Sequence, residues 1–385
     1  MMHRAIRGRR IHFAGSAADD IEPDKLRFFH KLVKHLARRT LEEGGGLIIT
    51  LGSEPVHKSR NELPLIFDWT ILEALVEYQR SNALDWPEMQ GMPVVAVGLP
   101  NWRDRIPERR KHLWESVVSK NVELVQVKTG LSVGGVLREQ QAALGDILVA
   151  AGGGPGVEHL AELYISNRKP VIPLDIQLKT KRQGAAERLS TLAMENPERF
   201  FAYKPPEQGT AAYSTLSLNG LPNVEEFDKK FFDFLLHLPK PRVFFARLMD
   251  KDMPEFDDVE KFFRNVADYI VIDAGYERFE SKIEASREAF LNVETFEMIF
   301  GSSLVIADLT GLRTNCFTEL GYALGLKKKV IMTAKEGTKL PFDLASFPCY
   351  FWSTEISDAQ RKTSFQLFMR KNINRRAIVP PLASR

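Results

Sequence analysis

Short apolar runs alternate with longer amphipathic stretches along most of this chain. The runs Ile11–Ala14, Gly46–Leu51, Val94–Gly98, Val122–Val127, Asp146–Ala151 and Pro170–Leu174 have strand length. Leu26–Glu43 and Val133–Leu144, which lie between them, carry apolar residues at helical spacing. Strands that alternate with helices predict parallel sheets joined by crossover helices. A looser region runs from about Lys179 to Asn223 and contains Pro205-Pro206, Gly209-Thr210 and Gly220-Leu221-Pro222. The helical stretch Val224–Leu238 follows, with Phe227, Phe231, Phe232 and Phe234 expected to pack a domain interface or a dimer seam.

Lys240-Pro241 reads as a linker before a fresh strand. Beyond it the alternation repeats on a smaller scale, with strands expected at Val243–Ala246, Tyr269–Asp273, Ser303–Asp308 and Lys329–Thr333. The expected organisation is therefore two α/β domains in tandem, Rossmann-like or flavodoxin-like, over residues 8–238 and 242–385.

Composition changes this picture little. Of 385 residues, 44% are hydrophobic and 27% charged, as in ordinary globular chains. No apolar run reaches bilayer length, so no membrane partner is expected. Two cysteines, Cys316 and Cys349, are too few for a disulfide framework or a cysteine zinc site. No secretory leader follows the basic start at Arg4, Arg7, Arg9 and Arg10, and a reducing cytoplasm is the expected home. A net charge of +3 does not argue for nucleic acid. The basic runs Arg103–Lys111 and Lys327–Lys329 read as solvated helix ends or loops. Histidine spacing offers no metal site: His30 and His35 are surface residues of one helix.

The candidate chemistry lies between Leu304 and Gly325. An apolar strand ends at Asp308, and a loop with Thr310 and Gly311 follows. A helix then begins near Asn315, whose side chain is placed to cap it, with Glu319 in or near the first turn. Ligands of open parallel sheets sit beyond the carboxyl ends of the strands, where Asp308 and Glu319 are both expected to face. The helix N-terminus is expected to favour an ionised Glu319 by roughly 0.3–1 kcal/mol. Such a carboxylate serves as a nucleophile or stabilises a sugar cation, and Asp308 would accept a ribose hydroxyl or handle a proton.

Residues 242–352 resemble the nucleoside 2-deoxyribosyltransferase-like and TIR-like group. The resemblance rests on Ala-Asp308-Leu-Thr-Gly311, then Asn315, then Phe-Thr-Glu319-Leu-Gly-Tyr322-Ala-Leu-Gly325, with Leu340-Pro-Phe-Asp343-Leu further on. It implies Glu319 as catalytic carboxylate, Asp308 as sugar contact, and a nucleoside, nucleotide or NAD as substrate. Arg247, after the first strand of this part, is placed to meet a phosphate. Thr318 stands where many members have a tyrosine, which leaves Tyr322, Phe244 and Phe245 as candidates to stack on a base, with core packing the alternative and the expected role of Phe244.

In the first part, Asp146–His159 reads as a strand, a glycine-rich turn (Gly152, Gly153, Gly154, Gly156) and a helix. Glycines let a ligand approach the backbone, and a helix N-terminus offers free N–H groups to a phosphate. Gly15-Ser16 and Gly52 follow the first two strands, and Arg138 is a candidate phosphate clamp. Residues 8–178 resemble the SLOG superfamily of Lonely-Guy-type phosphoribohydrolases and ligand sensors. Its enzymes carry a threonine and a glutamate where this chain has Val157 and Leu160, and Glu158 and Glu162 fall out of register. Two residues turn a helical side chain by about 200°. The first domain is therefore read as a binder in which Glu158 lines a nucleotide-sensing site.

Together the two resemblances imply an effector, of anti-phage type by domain analogy, that senses a nucleotide-derived ligand such as an ADP-ribose-like molecule. It would hydrolyse an N-glycosidic bond of NAD or a related nucleotide, need no added cofactor or metal, and act as a homo-oligomer. The alternatives are a constitutive deoxyribosyltransferase or nucleotide N-glycosidase, and a non-enzymatic nucleotide-binding signalling protein.

Overall fold

The computed structural model describes residues 6–57, 63–81, 84–117, 122–127, 133–179, 183–202, 207–279 and 288–374. Arg4, Pro205 and Pro206 lie outside them. The chain divides into two units. One runs to Trp86 and from Met92 to Pro239; the other takes Pro87–Gly91 and the chain from Lys240.

The first unit is a six-stranded sheet of β1 (Arg10–Ser16), β2 (Gly46–Leu51), β3 (Val94–Gly98), β4 (Val122–Gln126), β5 (Ile147–Gly152) and β6 (Val171–Leu174). The order is β4-β3-β2-β1-β5-β6, and every strand pairing is parallel. Strands covered by helices on both faces need apolar residues at every position rather than every second one. β3 (Val-Val-Ala-Val-Gly) and β5 (Ile-Leu-Val-Ala-Ala-Gly) meet that demand and are buried throughout. The helix Pro23–Glu42 buries Leu26, Phe29, Leu32, Val33, Leu36, Ala37, Thr40 and Leu41 along one face, and Pro23 fits its first turn.

The helix Val224–Leu235 is capped by Asn223, whose side chain accepts from the Glu225 and Glu226 N–H groups at 2.8 and 3.2 Å. Phe227, Phe231 and Phe234 are 0–1% exposed and join the core of the first unit. Phe234 meets Phe201 and Tyr213 with ring centroids 5.1 and 5.4 Å apart. The expectation of an interface or dimer seam is corrected for these three rings. Phe232 is half-buried, beneath the Arg39 guanidinium. The region expected to be loose holds the helices Ala185–Glu195, Pro197–Phe200 and Glu207–Ser214.

The second unit is a parallel five-stranded sheet of β7 (Arg242–Ala246), β8 (Glu277–Arg278), β9 (Leu304–Asp308), β10 (Lys329–Lys335) and β11 (Cys349–Trp352), ordered β11-β10-β9-β7-β8. Tyr269–Asp273, expected as a strand, is helical. It ends a continuous helical run, Phe256–Phe262, a π turn at Phe263–Ala267, and Asp268–Asp273. Its β-branched residues suggest a strand, but Ile270 and Val271 are buried beside Val266 and Ala267, a helical spacing, while Tyr269 and Ile272 are about 60% exposed. Tertiary burial of a helical face has overridden local preference.

Period-two alternation gives this sheet two separate cores. Val243, Leu304, Ile306, Ile331 and Trp352 face the helical run 256–273 and the helix Asp358–Asn372. Phe244, Ala246, Val305, Ala307, Met332 and Ala334 face the helices Glu288–Gly301 and Thr314–Gly325. The chain reverses its direction of travel across each sheet at one place, between β1 and β5 in the first and between β7 and β9 in the second. The carboxyl ends of those strand pairs are where a parallel sheet opens to ligands.

Candidate functional site

In the first unit the switch point is built from glycine. β1 and β5 run in register to Ser16 and Gly152, and the Ser16 carbonyl accepts from the Gly153 N–H at 2.9 Å. A Cβ on Gly15 would lie 1.8 Å from the Ala151 carbonyl oxygen, so only glycine fits there. Gly152 and Gly153 turn with φ of +59° and +71° into the helix Pro155–Ser166. Gly154 is the residue before that helix, and Gly156 lies in its first turn.

Two cations stand over this turn. An Arg138 guanidinium nitrogen lies 3.4 Å from where a Cβ of Gly156 would sit, and the Lys179 ammonium 3.7 Å from that of Gly154. Arg138 also donates to His159 Nδ1 at 2.9 Å. First-turn N–H groups with flanking cations form a cradle for an anion. Lys179 was not singled out from the sequence, although its basic neighbourhood (Lys179, Lys181, Arg182) just past β6 was a usable signal. Gly52, after β2, is half-buried with open space beside it.

The acids of this helix are engaged elsewhere. Glu158 pairs with Arg188, whose Nε donates at 3.0 Å, and Glu162 pairs with Arg199 at 2.9 Å. Both carboxylates are more than a third exposed. The basic run expected to be solvated is partly structural: Arg109 and Arg110 clamp the buried Glu54 side chain at 2.8 and 2.7 Å.

In the second unit the helix Thr314–Gly325 begins one residue before the expected cap. Arg313 holds the N-cap position without a side-chain cap bond, and Asn315 is exposed within the first turn. Glu319 consequently sits in the second turn. Its half-buried carboxyl makes no hydrogen bond or ion pair among the described residues, and burial pushes its pKa up to about 7. That reverses the expected sign. A rise from 4.5 to about 7 is worth roughly 3 kcal/mol against the charged form, several times the roughly 0.3–1 kcal/mol a helix N-terminus supplies. Desolvation wins, and Glu319 is a poised, partly protonated acid at neutral pH.

Asp308 differs from expectation in direction. Its side chain alternates with Leu304 and Ile306, so it points to the face opposite the helix that carries Glu319. It is 1% exposed. One oxygen accepts from the Thr310 N–H at 3.1 Å, the other from the Thr333 hydroxyl at 2.7 Å and the Trp352 indole N–H at 2.9 Å. Burial raises its pKa against the pull of those donors. This is a carboxyl that ties β9, β10 and β11 together, and the expectation that it meets a sugar in an open crevice is corrected. The Cys316 thiol, one turn before Glu319, feels both acids; burial first, then the charges of Glu319 and Asp308, push it up to about 12.

The remaining expected substrate residues also split across the two faces. Phe245 packs on Phe263 at 4.9 Å, and Arg247, on the same face, pairs with Glu260 and lies over the Phe263 ring. Tyr322 lies on the Glu319 side, with its ring on Phe296 at 4.6 Å. Thr310 is buried, and its hydroxyl accepts from the Lys335 N–H at 2.8 Å. Gly311 is exposed, with φ of +72°. Thr310, Gly311, Asn315 and Glu319 therefore belong to one loop and helix after β9, whereas Phe245, Arg247 and Asp308 belong to the opposite face. Among the described residues no cluster of three His, Cys, Asp or Glu is placed to hold a metal, and no helix is long and apolar enough to cross a membrane.

A family model described as "ATP nucleosidase Cap17-like, N-terminal" matches residues 6–224, more than half of the chain. The chain belongs to this family. The Cap17-like match ends inside the first unit, so the glycine turn of Gly152–Gly156 is part of the shared domain, and this domain has a Rossmann-like sheet. The ATP nucleosidase Cap17 of Escherichia coli strain KTE188 is 26% identical over 169 residues, 44% of this chain, and a second Escherichia coli protein of the same name matches equally. The alignment spans 32% of the length of those relatives. Among solved structures, DNA processing protein A from Helicobacter pylori is 10% identical, with 60% of this chain and 84% of that one covered and a TM-score of 0.34. The molybdenum cofactor carrier protein from Chlamydomonas reinhardtii is 19% identical, with 48% and 96% covered and a TM-score of 0.26. Neither likeness is close enough to bear on activity.

Proposed function

We propose that this protein is a nucleotide-sensing effector whose second unit cleaves the N-glycosidic bond of a nucleotide, with Glu319 as the reacting carboxyl. The observation that carries the reading is the state of Glu319. It is a half-buried carboxyl without a hydrogen-bond or ion-pair partner among the described residues, with pKa pushed up to about 7, at the carboxyl edge of a parallel sheet. Its ionised form stabilises the sugar cation that develops as the base departs, or attacks it. A positively charged transition state restores the stabilisation that burial withholds from the free carboxylate, so the group is worth more in the transition state than in the resting enzyme. Asp308 acts by holding the strand ends, not by touching the sugar.

Cap17-like membership, and relatives named as ATP nucleosidases, support nucleotide N-glycoside chemistry; an anti-phage role rests on the domain analogy. The second-unit motif adds NAD to ATP as a candidate substrate. The first unit, with Arg138 and Lys179 over its glycine turn, is the ligand-binding half, and occupation of that cradle would switch on the second unit.

A second reading places the chemistry in the first unit, because the family match lies there. Against it, Glu158 and Glu162 are tied to Arg188 and Arg199 on the surface. The experiment is chromatography of free base after incubation of the full chain with ATP or NAD, with and without ADP-ribose-like nucleotides. Release that stops in Glu319→Gln supports the first reading. Release that persists in Glu319→Gln but stops on removal of the first-unit cradle supports the second. No release by wild type under any condition ends both.

A further inference from the structure

Three cations stand at the carboxyl edge of three neighbouring strands of the second sheet. Arg247 follows β7, Arg313 precedes the helix after β9, and Lys335 ends β10. All three are paired with one short acidic stretch, Asp250–Glu260. Arg247 pairs with Glu260, Arg313 with Asp250 at 3.2 Å, and Lys335 with Asp258 at 2.6 Å. Met253 of the same stretch receives Arg313 Nη1 on its sulfur at 3.5 Å.

Glu255 adds an independent observation. Its Oε2 lies 3.7 Å from where a Cβ of Gly311 would sit, over the loop that leads to Glu319. That oxygen is buried and has no hydrogen-bond partner among the described residues. A buried, unmatched carboxylate oxygen is costly to hold, so this side chain carries a bias towards release. The helical run it enters passes after Phe262 into the π turn Phe263–Ala267, whose first ring lies under Arg247.

We propose that the acidic side chains of Asp250–Glu260 form a displaceable strap, on a backbone that Phe256 and Val259 keep packed on the core, and that Arg247, Arg313 and Lys335 beneath them form the subsite for the di- or triphosphate chain of the substrate. The inference rests on the proposed function and takes the nucleotide to lie across the carboxyl edge of the sheet, with its glycosidic bond on the Glu319 face and its phosphates on the opposite one, which narrows its class to nucleotides with at least two linked phosphates. Single carboxylates hold the cations in the resting protein. Two of the three pairs are partly exposed on both sides, at 30% and 31% for Lys335 and Asp258 and at 41% and 42% for Arg313 and Asp250. Pairs so exposed are weak. A phosphate group offers three acceptor oxygens and up to about two charges where a carboxylate offers two oxygens and one charge. Linked phosphates also bridge several cations at once, so the second and third contacts form within one ligand. The exchange therefore runs in favour of a polyphosphate and against a single phosphate.

The test is isothermal titration of the full chain with inorganic tripolyphosphate, pyrophosphate and monophosphate. An Arg138→Gln background removes a cation of the other anion cradle. Base release plays no part in the readout, so a failure of Glu319 chemistry leaves it intact. Asp250→Asn with Asp258→Asn is expected to tighten tripolyphosphate binding at least five-fold, and Asp252→Asn, an exposed neighbour, to change it less than two-fold. Arg313→Gln with Lys335→Gln is expected to weaken binding at least ten-fold, with the far-ultraviolet dichroism of each variant confirming its fold. Equal affinity for mono- and tripolyphosphate overturns the proposal. So does a strap variant no tighter than its parent, an Asp252→Asn effect equal to that of the strap pair, or a cation variant that binds as its parent does.

Discussion

Asp308 and Glu319 are eleven positions apart, follow from the same strand and loop, and end in opposite conditions. Asp308 is buried and accepts three hydrogen bonds, from a backbone N–H, a hydroxyl and an indole. Glu319 is less buried and accepts none among the described residues, and its pKa is driven to about 7. The difference teaches that burial alone does not mark a reactive acid. A carboxylate whose lone pairs are already taken is part of the frame; one that is desolvated without compensation holds a cost that a cationic transition state can relieve. Glu54 repeats the lesson in the first unit: its side chain is fully buried, yet Arg109 and Arg110 occupy it.

The largest effect that sharpens this contrast is on turnover. Glu319→Gln is expected to lower base release on the order of 10²–10⁴-fold, measured by single-turnover chromatography, with the melting temperature at pH 8 not lowered. Asp308→Ala should show the reverse weighting. The Thr333 hydroxyl and Trp352 indole lose their acceptor, so unfolding free energy in urea should drop by about 1–3 kcal/mol, and turnover should fall less than in Glu319→Gln. An Asp308 variant that melts like wild type but releases no base would return that residue to the reaction.

The pH dependence of stability separates the two acids again. The Glu319 carboxyl titrates near 4.5 when unfolded and near 7 when folded. Between those values the folded state holds the extra proton, so stability contributed by this group falls as pH rises through the window. Above pH 7 the cost is complete. Glu319→Gln should therefore gain roughly 1–2 kcal/mol over wild type at pH 8, with little gain at pH 4.5, as read by thermal melts across the range. Equal gains at both ends would show that the substitution acts through packing. The smallest effect is expected at the first unit's helix: Glu158→Gln breaks an exposed pair with Arg188 and should change stability by less than about 1 kcal/mol and turnover not at all. A collapse of turnover in that variant would move the chemistry to the first unit.

The tandem parallel sheets were legible because doubly covered strands demand continuous apolar runs, and β3 and β5 display them in full. The glycine turn was legible because Gly15, Gly152 and Gly153 occupy conformations or spaces that exclude a Cβ. What escaped reading depends on contacts between distant residues. The side to which Asp308 points follows from where β9 begins, and one residue of register exchanges the faces. Tyr269–Asp273 carries strand-forming residues on a helix because Ile270 and Val271 are buried beside Val266 and Ala267. The pairings of Arg247, Arg313 and Lys335 with acids up to 77 positions away leave no local trace.

The central claim, that Glu319 is a desolvated and uncompensated carboxyl, is tested most directly by infrared difference titration of wild type minus Glu319→Gln. The account predicts a protonated-carboxyl band that persists above the ordinary glutamate range, vanishes as pH passes about 7, and is missing from the variant. A band already lost near the ordinary glutamate value of about 4.3 would make Glu319 a common surface carboxylate and contradict the account.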